Sequence, residues 1–197
     1  MNHTNQALVS KRLKLRQWRE EDYASFARIN ADPRVMAFFP NSLTRNQSDQ
    51  LANRLKSLIS KNGYGFWALE LLETGTFIGF VGLNPISTDS GIPHAPMMEI
   101  GWRLDADYWG KGYAPEAAQL ALNFAFNQLK LDAVYSFTSV LNIPSQRVMQ
   151  KIGMKNTEQN FEHPALADGH KLKTHCLYKM TGNEFSCSNT KNMDVVT

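Results

Sequence analysis

The stretch "DYWGKGYAPEAA" at residues 107–118 sets glycines at 110 and 112 just before an alanine-rich run that opens with Pro115 and Glu116. Glycine tolerates positive φ, so two of them within three residues let successive amide N–H groups converge on one point. A helix that starts directly afterwards aims its unpaired N–H groups and the positive end of its dipole at the same place. Such a turn suits an anion, and a pyrophosphate above all; Lys111 adds a point charge, and Pro115 fits a first helical turn, where no N–H is needed. Two familiar phosphate-loop patterns fail. G-x-G-x-x-G needs a glycine where Pro115 stands and follows a first strand, and no G-x-x-x-x-G-K-[ST] string occurs in the chain. On its own, a GxG is explained at least as readily by tight packing where a strand meets a helix.

The elements that must position this turn can be read on both sides of it. "MMEIGWRLD" (97–105) predicts a strand with Ile100, Trp102 and Leu104 on one face and Glu99 and Arg103 on the other. A helix is predicted from Pro115 to Leu129, its apolar residues almost encircling it as in a buried helix. Upstream come a strand at 12–18, a helix at 19–29 interrupted by Asp32-Pro33, and a long helix capped by Ser42 or Thr44 and ended by Gly63. In that long helix Leu51, Leu55, Leu58 and Ile59 share a face. A hairpin follows, 64–72 and 76–84, joined at Glu73-Thr74-Gly75. Downstream lie a strand at 133–140, a helix at 143–152 stopped by Gly153, a long loop at 160–175 and a strand at 175–181. The order is that of one α+β domain over residues 1–181, with 182–197 a fraying polar tail.

Composition narrows the partners. The 197 residues carry 43% hydrophobic and 20% charged side chains, ordinary for a globular protein, with a net charge of +3 whose basic residues are scattered rather than striped. Scattered charge argues against direct nucleic-acid binding. There is no apolar run of membrane-spanning length, and "MNHTNQALVSKRLKL" lacks the apolar centre of a signal peptide, which leads to a cytoplasmic expectation without membrane contact. Two cysteines without CxxC spacing and five dispersed histidines support neither a disulfide framework nor a metal site.

A second motif, "NIPSQRVMQKIGMK" with Asn142, Ser145, Val148, Lys151 and Gly153, follows the turn. With "EIGWRL" and "WGKGYAPEAAQLALNFAF" it resembles the GCN5-related N-acetyltransferase (GNAT) superfamily, most closely the branch of the ribosomal-protein acetylases. The resemblance covers roughly residues 10 to 181. It implies the GNAT fold: a mixed, mostly antiparallel sheet of about seven strands, splayed between the fourth and fifth, with about four flanking helices. It implies acetyl-CoA as acetyl donor, its pyrophosphate on the amides of Trp109, Gly110, Lys111, Gly112, Tyr113 and Ala114, where Trp109 stands in the family's Gln/Arg place. Its pantetheine would bond backbone groups of Trp102, Arg103 and Leu104, and Asn142, whose residue type equally fits a helix N-cap.

The implied reaction is transfer of the acetyl group to a primary amine by direct attack in a ternary complex, with a backbone N–H of the strand at 97–105 meeting the oxyanion. Glu99 is the candidate base, acting through water, and a solvated or salt-bridged strand glutamate is the alternative. Many family members hold a tyrosine, the acid for the leaving thiolate, where this chain has Met149, which has no proton to give. Ser145 is the nearest substitute, and a serine that satisfies helix-start N–H groups is the competing reading. A protein α-amino group (pKa about 7.7–8.0) asks less of a base than a lysine (about 10.4). The acceptor would meet the first two helices, Phe38 and Phe39, the 85–96 loop and the 160–175 loop with His163, His170 and His175. An antibiotic, polyamine or other small amine fits the sequence as well as a protein N-terminus does, and the chain as monomer or homodimer. Met149 also admits a rival of another class, a non-catalytic acyl-CoA sensor.

Overall fold

The computed structural model describes residues 7–193. In chain order its elements are β1 (Leu8–Val9), β2 (Leu13–Arg16), α1 (Asp22–Ala31), α2 (Pro33–Met36), α3 (Arg45–Asn62), β3 (Phe66–Leu71) and β4 (Phe77–Ile86), then β5 (Met97–Leu104), α4 (Tyr113–Asn127), β6 (Ala133–Ser139), α5 (Ile143–Lys151), β7 (Lys155–Glu162), β8 (Thr174–Thr181) and α6 (Gly182–Met193). Short 3-10 turns lie at Thr88–Ser90 and Ala106–Tyr108. The strands form one sheet in the order β1-β2-β3-β4-β5-β6-β8-β7. β5 and β6 run parallel, whereas β1–β2, β2–β3, β3–β4, β6–β8 and β7–β8 are antiparallel. The fold is therefore the expected α+β class with a mixed, mostly antiparallel sheet, here of eight strands.

By packing, the chain divides into two compact units: residues up to Asn84 together with Gly101–Ala121, and Pro85–Ile100 together with the residues from Leu122 onward. In the first unit Leu13, Leu15, Ile78 and Leu69 are fully buried, and Trp18, Phe26, Phe77 and Phe80 form a cluster of tilted and edge-on rings whose centroids lie 4.8–6.4 Å apart. Burying an aromatic or aliphatic side chain contributes about 1.5–3 kcal/mol, so these residues carry the unit's stability. α1 is fixed to β2 by charge: Arg16 donates to both carboxylate oxygens of Asp22 at 2.7 and 2.8 Å and to Glu70 at 2.5 Å, all three nearly inaccessible to solvent. Thr44 and Gln47 cap α3 reciprocally, and Gly63 ends it at φ 79°. The buried stripe of α3 is Ser48, Ala52, Leu55 and Ile59, so of the leucines expected on the inner face Leu51 and Leu58 are half-buried. The backbones of β4 and β5 come close at Gly79, where a Cβ would lie 2.1 Å from the Arg103 carbonyl oxygen.

In the second unit β6 and β8 are in register from Ala133↔Thr181 to Ser139↔His175 over a core that includes Val134, Leu177, Tyr178 and Met180. In this unit β7 and α6 depart from the sequence expectation, as β1 and the short α2 do in the first. Residues from 160 were read as loop, but β7 pairs with β8 through Lys155↔Lys179 and Phe161↔His175. Its side chains are exposed or half-buried along its whole length, so it lacks the apolar alternation by which a strand is recognised. The second departure is at 182, where the reading placed a fraying tail and the structure has α6. Thr181 and Glu184 cap that helix reciprocally, and Phe185 is buried against Phe126 with ring centroids 5.0 Å apart.

Candidate active site

In the first unit, β5 leaves the sheet at Leu104 and enters the 3-10 turn, which Asp105 caps by accepting from the Asp107 N–H at 3.1 Å. Trp109 follows, 46% exposed, its indole Nε1 donating to the Leu104 carbonyl at 3.0 Å. Gly110 and Gly112 adopt φ of 75° and 78°. A Cβ at Gly110 would meet nothing within 4 Å, and at Gly112 only the Arg12 guanidinium at 3.5 Å. Backbone conformation, not crowding, therefore selects glycine at both positions. Among the described residues the N–H groups of Gly110, Lys111 and Gly112 donate to no other group. α4 starts at Tyr113, two residues before the proline, so Tyr113, Ala114 and Pro115 form its first turn and its N-terminus adjoins these amides. This row of donors fits a pyrophosphate. Lys111 lies over the Tyr108 ring at 5.1 Å and donates to the Asp107 carbonyl at 3.1 Å.

The loop is braced by residues that the sequence reading did not name. Arg12 donates through Nε to Glu116 at 2.7 Å and through Nη1 to the Lys111 carbonyl at 3.0 Å, and its guanidinium lies 4.6 Å from the Tyr113 ring centroid. Ser10 adds a hydrogen bond to Glu116 at 2.7 Å. Burial works to raise the Glu116 pKa, but the bonds from Ser10 and Arg12 overcome it and hold the carboxyl below its usual range. Glu116 alone carried a signal, an acid in the first turn of a predicted helix; its partners lie more than 100 positions away in sequence.

The Arg103 side chain packs against α1 and two aromatic rings. Its Nη1 donates to Asn30 Oδ1 at 2.6 Å, and its guanidinium carbon lies 4.1 Å from the Phe39 ring and 5.5 Å from the Phe80 ring. Phe39, one of the two cleft candidates, is thus a lid on this arginine. On β5 nearby, Trp102 is half-buried and Leu104 buried.

In the second unit, Glu99 is half-buried on β5 and stands opposite Tyr135 of β6. Asn142 caps α5: its Oδ1 accepts from the Ser145 N–H at 3.2 Å while its Nδ2 donates to Thr138 Oγ1 at 2.9 Å. Ser145 is half-buried, and its hydroxyl makes no hydrogen bond among the described residues, so Asn142 and not Ser145 is the helix cap. Met149, one turn further, is 1% exposed. His163 and His175 face each other at 4.8 Å between ring centroids, beside Phe137 and Phe161. Burial lowers both imidazole pKa values, and the neighbouring His175 lowers that of His163 further. His170 instead accepts from the Leu172 N–H, within its own loop. No group of three or more metal-ligating side chains stands together among the described residues, and no described helix is long and apolar enough to cross a membrane.

Comparison with known proteins agrees with this geometry. Residues 12–155 match the family described as acetyltransferase (GNAT) domain. Two Bacillus subtilis (strain 168) proteins are similar over most of their length: YkkB, 33% identical over 75% of this chain and 84% of its own, and the N-acetyltransferase YnaD, 30% identical over 91% and 99%. The fold is shared with ribosomal-protein-S5-alanine acetyltransferase from Vibrio fischeri, with a TM-score of 0.69 at 18% identity over 91% of this chain and 98% of that one. The family match over residues 12–155 and the identity to YkkB and YnaD show that the chain is an acetyltransferase and belongs to the GNAT family.

Proposed function

We propose that the protein transfers the acetyl group of acetyl-CoA to a primary amine by direct attack in a ternary complex. The observation that carries this reading is the row of unpaired amides at Gly110, Lys111 and Gly112 ahead of α4. In this reading the amides of Trp109, Gly110, Lys111, Gly112, Tyr113 and Ala114 take the pyrophosphate, and backbone groups of Trp102, Arg103 and Leu104 take the pantetheine. Asn142 adds a bond through the amide hydrogen that Thr138 leaves over. The amine nitrogen attacks the thioester carbonyl; a C–N bond forms and the C–S bond breaks. The ammonium proton passes through water to Glu99, and the leaving thiolate is protonated through the Ser145 hydroxyl, which the helix cap leaves available and which regains a proton from water as it gives one up.

A protein N-terminal α-amine is the acceptor that makes the least demand on Glu99, because its reference pKa is about 7.7–8.0. The test is thiol release from acetyl-CoA with peptides bearing free N-termini, the same peptides N-acetylated, and a panel of polyamines and aminoglycosides. Turnover confined to free peptides supports the protein acceptor. Turnover confined to the small amines moves the acceptor to that class, and the absence of amine-dependent thiol release with every amine tested sinks the reading.

A further inference from the structure

The first unit encloses two guanidinium groups, Arg16 buried and Arg103 half-buried with a buried Nε, and treats them oppositely. Arg16 meets Asp22 through a two-pronged bond and Glu70 through Nε, and the attraction of the two carboxylates offsets its loss of water. Arg103 has no carboxylate partner among the described residues. Its Nη1 reaches the neutral oxygen of Asn30, the rings of Phe39 and Phe80 cover its faces, and its Nε is buried without any hydrogen-bond partner. Nη2 makes no bond to the described residues either. Burial pushes the Arg103 pKa down to about 10. A guanidinium Nε cut off from both water and partners is left unsatisfied, and a bound anion would satisfy it.

The side of the guanidinium left unbonded is the Nε/Nη2 edge, a planar fork whose two parallel N–H groups match the two oxygens of a carboxylate. Strand alternation sets Arg103 on the same face of β5 as Glu99. Asn30, the other polar group at the guanidinium, is held in turn, because its Nδ2 donates to the buried Ser48 at 2.8 Å. Phe39, in the segment joining α2 to α3, is 36% exposed, so the ring over one face of the guanidinium itself reaches solvent.

We infer that Arg103 is a receptor for a carboxylate carried by the acetyl acceptor, so that the substrate is an amine bearing an acid group. The inference rests on the acetyltransferase reading above and narrows its acceptor class. The carboxylate belongs to a free amino acid or to an acidic residue near a peptide N-terminus, and the two sources are separable by experiment.

Thiol release from acetyl-CoA is measured with amino acids against their carboxamides, and with C-terminally amidated tripeptides Ala-Glu-Ala against Ala-Gln-Ala. The expected result is a preference for the carboxylate member of one pair set by at least about tenfold in kcat/KM, as a charged bidentate bond implies. Arg103→Lys, which keeps the charge and loses the fork, is expected to collapse that preference, read as the ratio of kcat/KM for the acid and neutral members within the variant. Propionate, a carboxylate without an amine, is expected to raise the melting temperature of the wild type and not of Arg103→Lys. Equal turnover of acid and neutral members by the wild type overturns the inference and leaves the acetyltransferase reading standing. A melting temperature indifferent to propionate, or an acid preference that survives in Arg103→Lys, overturns it as well. No thiol release with any amine removes the reading beneath it.

Discussion

Gly112 carries two constraints at once. At φ 78° any side chain strains the backbone by roughly 1–2 kcal/mol, and a carboxylate there would project into the field meant for an anion. Gly112→Glu is therefore expected to abolish CoA binding in calorimetry while the protein still melts cooperatively; unchanged affinity would remove the pyrophosphate role from this loop. Glu99→Gln is expected to lower kcat by about 10²-fold, within the range for a lost general base, with CoA affinity retained. A rate that does not change would take Glu99 out of the chemistry. The glycine turn at Gly110 and Gly112 and the helix cap at Asn142 were legible because the groups that define them are neighbours in the chain. Arg12, Ser10 and Asn30 were not, because each reaches its partner across a long sequence separation and is an ordinary polar residue in its own segment.

The elements read most easily were those with local punctuation: α3 between Thr44 and Gly63, the hairpin at Gly75, and α5 between Asn142 and Gly153. β7 was illegible for a physical reason, since a strand exposed or half-buried along its length shows no alternation. α6 was legible and overlooked, because the T-x-x-E pattern of Thr181 and Glu184 is a capping box. The attachment of α1 to the sheet combines the packing of Phe26 and Ile29 with a buried charge contact. Asp22→Asn leaves Arg16 short of a carboxylate and is expected to destabilise the protein by about 3–5 kcal/mol in denaturant titration, the range for breaking a buried pair. A loss below 1 kcal/mol would show that Glu70 alone suffices.

For the whole molecule, the facing pair His163 and His175 sets an acid limit. Burial lowers both pKa values, so below about 6.5 the unfolded chain binds protons that the folded one does not take up. The stability these neutral rings contribute is complete above that pH and is lost as pH falls through the lowered folded values. Melting temperatures measured from pH 7.5 down to 5 are expected to fall, and His163→Gln is expected to flatten the decline. An unchanged slope in that variant would assign the acid sensitivity to other groups.

The clamp of Ser10 and Arg12 on Glu116 gives the first strands a part in donor recognition. A carboxylate at the head of α4 stands beside the amides proposed for the pyrophosphate, and only its two partners keep that carboxylate from acting as a repeller. Arg12→Ala is expected to weaken acetyl-CoA both through the charge it leaves unpaired on Glu116 and through the brace it removes from the Lys111 carbonyl, and added salt is expected to relieve the first part alone.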